Sequence, residues 1–189
     1  MRIRPWIFLL CLCGATVMAD EHLIIDDRSS GTLESALGPS WRMFTDGVMG
    51  GVSTGMLTPA SVDQRVCLRL QGDVRLENNG GFVQAALDVE DTPAEDASAY
   101  TGIEIEVYGN DEAYNLHLRT DDLWLPWQSY RTTFAAAARW QTLQLPFAEF
   151  SGYRTGKPLD VSELERIGVV AIGRAFTADL CIGRVGLYS

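Results

Sequence analysis

Histidine is almost absent from this chain of 189 residues, with only His22 and His117 present. Neither sits in an HExxH or CxxC spacing, so no metal centre is expected. Basic residues are outnumbered, with Lys plus Arg at 15 against Asp plus Glu at 25, and the formal net charge is −10. That balance disfavours a nucleic-acid binder, which needs clustered cations to displace phosphate counterions. No apolar run approaches the roughly 20 residues needed to span a bilayer. A hydrophobic content of 47% is too polar for a multi-span membrane protein and too apolar for disorder. Internal repeats are missing, helical signals are scarce, and no Gly-Lys-Ser/Thr follows the glycine-rich stretch, which argues against a phosphate loop. No cofactor is expected.

What is present begins with a leader. Residues 1–19 read MRIRPWIFLLCLCGATVMA: Arg2 and Arg4 are basic, Trp6 to Val17 is apolar, and Val17 and Ala19 occupy the −3 and −1 positions of a cleavage site. Its removal leaves 170 residues beginning at Asp20, and with Arg2 and Arg4 gone the formal charge of −10 becomes −12. Cys11 and Cys13 go with it, leaving Cys67 and Cys181. The expectation is an exported, soluble single domain over residues 20–189, periplasmic if the source is Gram-negative. A chain of this size buries enough surface for one core without metals.

That domain is dominated by alternation. Val66, Leu68 and Leu70 alternate with polar neighbours, as do Ile103, Ile105 and Val107, then Leu116 and Leu118, then Leu180 and Ile182. A period of two belongs to half-buried antiparallel strands. Turn signals at Gly72-Asp73, Asn78-Asn79-Gly80-Gly81, Gly109-Asn110-Asp111 and Ser151-Gly152 separate the runs. The pattern predicts about nine or ten strands in an all-β sandwich or jelly roll. One short helix is predicted over residues 160–166, with Ser162 and Glu165 at capping-box spacing, and Phe134 to Arg139 could add a helical turn. The acidic stretch 88–96 reads as a solvated loop, with weak calcium binding as the lesser alternative.

Two segments concentrate unusual residues. Asp46 to Gly55 reads DGVMGGVSTG, and its four glycines Gly47, Gly50, Gly51 and Gly55 imply left-handed backbone or close approach of another segment. Gly51 to Gly55 matches G-x-S-x-G, but no helix follows Ser53 and the only downstream histidine, His117, lies on a predicted strand. A serine hydrolase at Ser53 therefore ranks far below a non-enzymatic role. The second segment, Glu77-Asn78-Asn79-Gly80-Gly81-Phe82, reads first as a tight turn, while Glu77 and the two amides could also converge on a ligand.

Trp124 and Trp127 flank Pro126 beside Asp121, Asp122 and Gln128. They could stack on sugar rings, or plug an open end of the sandwich; both readings stand. His117 lies between Asn115 and Arg119 in a row that lines either a binding surface or a solvated face. Cys67 and Cys181 both fall in the polar phase of their strands, so they could bridge if those strands are neighbours, and otherwise remain two thiols.

The run Phe44 to Gly55 followed by Glu77 to Phe82 resembles the NADH:ubiquinone oxidoreductase (complex I) intermediate-associated protein 30 family. Looser matches follow at Tyr100-Thr101-Gly102-Ile103, Leu118-Arg119-Thr120, Tyr130-Arg131, Trp140-Gln141, Leu145-Pro146-Phe147 and Leu180-Cys181-Ile182. The resemblance implies a galactose-binding-domain-like β-sandwich and a chaperone-like, protein-binding role in assembling respiratory complexes. Asp46, Gly50, Gly51, Ser53, Glu77, Asn78, Asn79, Gly80, Gly81 and Arg119 match the family, which has no assigned catalytic residue. The expected function is an exported, non-enzymatic binding or assembly-assisting module with protein partners, respiratory-complex subunits among them. The alternative is a carbohydrate-binding module using Trp124 and Trp127.

Overall fold

The structure is a computed structural model that describes residues 22–189. The leader, with Cys11 and Cys13, lies outside the described residues. The described residues form twelve strands in two antiparallel sheets. The first sheet runs β3 (Thr54–Val62), β4 (Arg65–Val74), β12 (Phe176–Tyr188), β6 (Gly102–Tyr108) and β9 (Trp140–Pro146), with β1 (Leu23–Asp26) also on β12. The second runs β10 (Ser151–Tyr153), β8 (Ser129–Ala136), β7 (Glu112–Thr120), β11 (Leu164–Ile172), β5 (Phe82–Asp88) and β2 (Arg42–Thr45). The sandwich was legible from the alternation, with slightly more strands than the nine or ten expected.

Each alternating run supplies one layer of the core. Leu68, Leu70, Ile103, Ile105, Val107, Leu180 and Ile182 point inward from the first sheet, against Val83, Leu87, Leu116, Leu118, Ile167 and Val169 of the second. Each such side chain contributes roughly 1.5–3 kcal/mol by leaving water. β12 has a register irregularity between Ile182 and Val185. Before it one edge of β12 pairs with β4, and beyond it the same edge pairs with β1.

Several local expectations are corrected: Gly72-Asp73 and Ser151-Gly152 make no turn but lie inside β4 and β10, where they pair with neighbouring strands. Residues 160–166 form no helix: the Asp160 carboxylate accepts from the Ser162 N–H at 3.0 Å and from its hydroxyl, closing a turn, and β11 begins at Leu164. Leu164 is buried in the core, so burial on a sheet overrides the local capping signal. Phe134 to Ala136 belong to β8 rather than to a helical turn. The short helical segments are 3-10 turns at Asp46–Met49, Glu77–Asn79 and Phe147–Glu149. No helix among the described residues is long and apolar enough to cross a membrane.

Candidate functional site

The two motif segments meet at one side chain. Asp46, at the end of β2, is fully buried, and its carboxylate collects four hydrogen bonds from both loops. The Ser53 N–H donates at 2.9 Å and the Phe82 N–H at 3.4 Å, and the Ser53 hydroxyl and Gly81 N–H also donate. Burial works against the charge, but the bonds from Ser53, Gly81 and Phe82 outweigh it and hold the carboxyl below its ordinary value. Ser53 Oγ also accepts from the Arg75 N–H at 2.9 Å, tying in the end of β4.

The glycines follow from this arrangement. A Cβ on Gly51 would stand 2.3 Å from the Asp46 carboxyl carbon, and one on Gly80 would stand 2.4 Å from a carboxylate oxygen. Gly50 and Gly81 have φ of +87° and +125°, which L side chains rarely adopt. Gly55 lies against Val83, and the Gly47 N–H donates to Thr45 Oγ1 at 3.2 Å. The Asn78 amide donates to the Gly50 carbonyl at 3.2 Å, a second link between the loops. Glu77 is exposed and pairs with Arg75, which holds its carboxyl below the ordinary range; Asn79 is exposed with φ +58°. Asp46 and Ser53 thus form an internal clasp, while Glu77, Asn78 and Asn79 lie at its surface.

The clasp holds no catalytic constellation with His117. That residue lies on β7, separated from β2 in the sheet by β11 and β5. The Ser53 hydroxyl donates to a carboxylate, on a loop that leads into strand β3 rather than a helix. Among the described residues no group of three or more His, Cys, Asp or Glu side chains is placed to hold a metal.

Val48, Met49, Val52 and Leu76 project from the same two loops as large exposed apolar side chains, Val48 at 72% and Met49 at 58% exposure. Sequence patterning marked the glycines here but not this apolar tip.

The outer face of the second sheet forms the other cluster. Antiparallel register sets Arg131 opposite His117, His117 opposite Gly168, and Gly168 opposite Ala86. His117 is only 8% exposed, and its Nε2 has no hydrogen-bond partner. Burial, reinforced by the Arg131 charge, pushes the imidazole down to about 3, so it is neutral at physiological pH. The Gln84 amide covers Gly168, with Nε2 2.5 Å from where a Cβ would be. Arg131 stacks on the Tyr153 ring, 3.5 Å from its centroid, and Arg154 lies 5.4 Å from the same centroid.

Trp124 and Trp127 stand on the β7–β8 connection at 84% and 45% exposure. The plug reading is thereby overturned. The core closes with smaller residues such as Leu123 from the same connection, and the indoles stay outside. Arg119 shapes this loop, donating to the carbonyls of Leu123 at 2.7 Å, Gln128 at 2.9 Å and Leu125 at 3.0 Å. It is an anchor for the tryptophans, with Glu165 3.5 Å away.

Cys67 and Cys181 lie on neighbouring strands β4 and β12, with Cα atoms 5.4 Å apart and their sulfurs bonded. Both are buried although they share the polar phase of Arg69 and Asp179. Trp140 of β9 packs near Gly183 and donates from Nε1 to the Val62 carbonyl at 3.1 Å, giving this part of the outer face an aromatic cover.

Comparison with solved structures places the fold among carbohydrate-binding modules. The family 11 module of the cellulosomal cellulase Lic26A-Cel5E of Clostridium thermocellum aligns with a TM-score of 0.70 at 12% identity, covering 89% of this chain and 95% of that one. The family 30 module of Cel9D-Cel44B from the same organism aligns with a TM-score of 0.62 at 13% identity, covering 89% and 98%. At these identities the likeness concerns the fold alone. No curated protein matches in sequence. Residues 32–180 match the family described as Complex I intermediate-associated protein 30, a span that contains both loops of the Asp46 clasp. The chain belongs to the complex I intermediate-associated protein 30 family.

Proposed function

We propose that this protein is an exported, non-catalytic binding module that assists assembly by holding a protein partner on the apolar tip of the Asp46 clasp. The observation that carries this reading is the pairing of exposed Val48, Met49, Val52 and Leu76 with a backbone tied down by a buried carboxylate. A rigid apolar tip loses little conformational entropy on docking and removes apolar area from water when covered. Membership of a family named for an assembly intermediate of complex I favours a respiratory-complex subunit as the partner. Export is supported by the leader and by the bonded Cys67–Cys181 pair, because such bonds persist in oxidising compartments. In a Gram-negative source that compartment is the periplasm, and the reachable parts of a respiratory complex are its loops on that side of the membrane.

The test is capture of respiratory-complex subunits with the intact protein and with a Val48→Ser/Met49→Ser variant. Recovery that falls at least tenfold in the variant, at unchanged thermal stability, is the expected result. Recovery indifferent to the tip, or none, overturns it.

A second reading, carbohydrate binding, has its own observation. Trp124 and Trp127 are exposed on a loop that Arg119 holds in place, and exposed aromatic rings suit sugar stacking. The shared fold with carbohydrate-binding modules adds support by analogy. Glycan-array binding that disappears in Trp124→Ala/Trp127→Ala is expected; array binding unaffected by that change, or none, removes the reading.

A further inference from the structure

The outer face of the second sheet treats its arginines unequally. Arg42 and Arg166 share Asp88, with Arg166 Nε at 2.5 Å, and Arg119 has Glu165 at 3.5 Å. Arg131 and Arg154 have no carboxylate partner among the described residues, although the chain carries 25 acidic residues. They instead converge on the ring of Tyr153, where their like charges oppose each other. Arg131 is held in place: its Nε donates to Ser129 Oγ at 2.8 Å and its guanidinium carbon lies over the tyrosine ring, 3.5 Å from the centroid. Two guanidinium groups gathered at one tyrosine ring without a counter-charge offer paired donors to a bound anion.

The second observation comes from the next strand. His117, directly opposite Arg131, is more than nine-tenths buried with an unpartnered Nε2. A buried polar atom left without a partner costs stability unless something else satisfies it. A neutral imidazole offers one donor and one acceptor nitrogen, and the Gln84 amide over Gly168 offers both kinds of group. Such groups match hydroxyls, which also donate and accept. Asn115 and Thr133, bonded to each other at 3.1 Å, continue the polar lining. The tryptophan loop abuts the same place, since the Gln128 amide donates to the Arg154 carbonyl at 3.0 Å.

We propose that the Arg131–Tyr153–Arg154 cluster, with His117 and Gln84 beside it, binds an acidic glycan through the carboxylate of a uronate unit. This inference rests on the carbohydrate reading and names its ligand class. The carboxylate takes the terminal nitrogens of Arg131 and Arg154, and the ring hydroxyls fall on the polar row of His117, Gln84, Asn115 and Thr133 beside them. A sugar fits this cluster better than a peptide carboxylate does, because polar groups surround the two arginines and the loop bonded to Arg154 carries two exposed indoles.

The test is calorimetric titration of the intact protein with a uronate oligosaccharide, its carboxyl-reduced neutral counterpart, and a short peptide with a free C-terminus. The expected result is binding of the uronate alone, weakened roughly tenfold or more by Arg154→Gln and by Arg131→Gln. Arg154 is exposed, so its variant folds, and it keeps the result readable if Arg131→Gln disturbs the sheet. Equal binding of uronate and neutral oligosaccharide, insensitive to both substitutions, overturns the acidic ligand while carbohydrate binding stands. Binding of the peptide as tight as that of the uronate overturns the glycan as occupant. Binding of neither sugar overturns this inference, and the carbohydrate reading falls with it only if the glycan array is also blank.

Discussion

The Asp46 clasp and the outer face of the second sheet are opposite solutions to burying polar groups. In the clasp one carboxylate satisfies donors from two loops, and glycines clear the space around it. On the outer face a buried histidine lacks a partner, and two arginines crowd one tyrosine without a counter-charge. A satisfied network rigidifies what surrounds it, whereas an unsatisfied one carries a cost that a group from outside the chain can remove. The clasp is therefore read as the device that positions a surface, and the outer face as a surface itself.

Removing the clasp's centre tests this contrast most strongly. Asp46→Ala leaves the buried N–H groups of Ser53 and Gly81 without an acceptor, and the expected loss is about 4 kcal/mol in denaturant unfolding. A loss below about 1 kcal/mol would mean that the loops hold each other without it. Gly51→Ala sets a methyl group against the same carboxyl, 2.3 Å away, and overpacking of this kind costs about 1–3 kcal/mol. The same unfolding experiment checks it.

Acid distinguishes the two regions by window. His117 has a folded value lowered from 6.5 to about 3, so the unfolded chain binds the extra proton. Its contribution is complete above pH 6.5 and is lost as the pH falls toward 3. Asp46 is also lowered, so its contribution is present above the ordinary 3.8 and is lost as the pH falls through the depressed folded value. Thermal unfolding of His117→Gln across this range is expected to lack the upper decline and keep the lower one. Ring resonances of His117 that titrate near 6.5 in the folded protein would contradict its burial. The smallest effect is expected at the loop tip. Trp124→Ala changes stability by less than about 0.5 kcal/mol, because the indole is 84% exposed, and any larger loss marks packing absent from this structure.

Much of the fold was readable because half-burial imposes a period of two. Leu116 and Leu118 alternate with Asn115, His117 and Arg119, and the sheet places the two sets on opposite faces. The segment 160–166 misled because capping signals are local, whereas Leu164 is committed by its place in the core. Asp46, Ser53 and the glycines stood out together, since an internal clasp needs small residues around a short acid. Arg131, Tyr153 and Arg154 carried no comparable signal. They come from β8, β10 and the residue after β10, and become neighbours only through the pairing of Ser151 with Arg131 and Tyr153 with Ser129. The cysteines followed the same rule: their phase could be read along each strand, but the adjacency of β4 and β12 could not.

The sequence by itself determined the sandwich, the facing of the four alternating runs and the two loops that make the clasp, because those depend on periodicity and on residues close in the chain. The tertiary structure alone decided that the tryptophans stay outside, that the two cysteines meet, and that two arginines share one tyrosine. Those outcomes depend on strand order and register, which bring distant residues together through packing across a whole sheet and leave no local pattern in the chain.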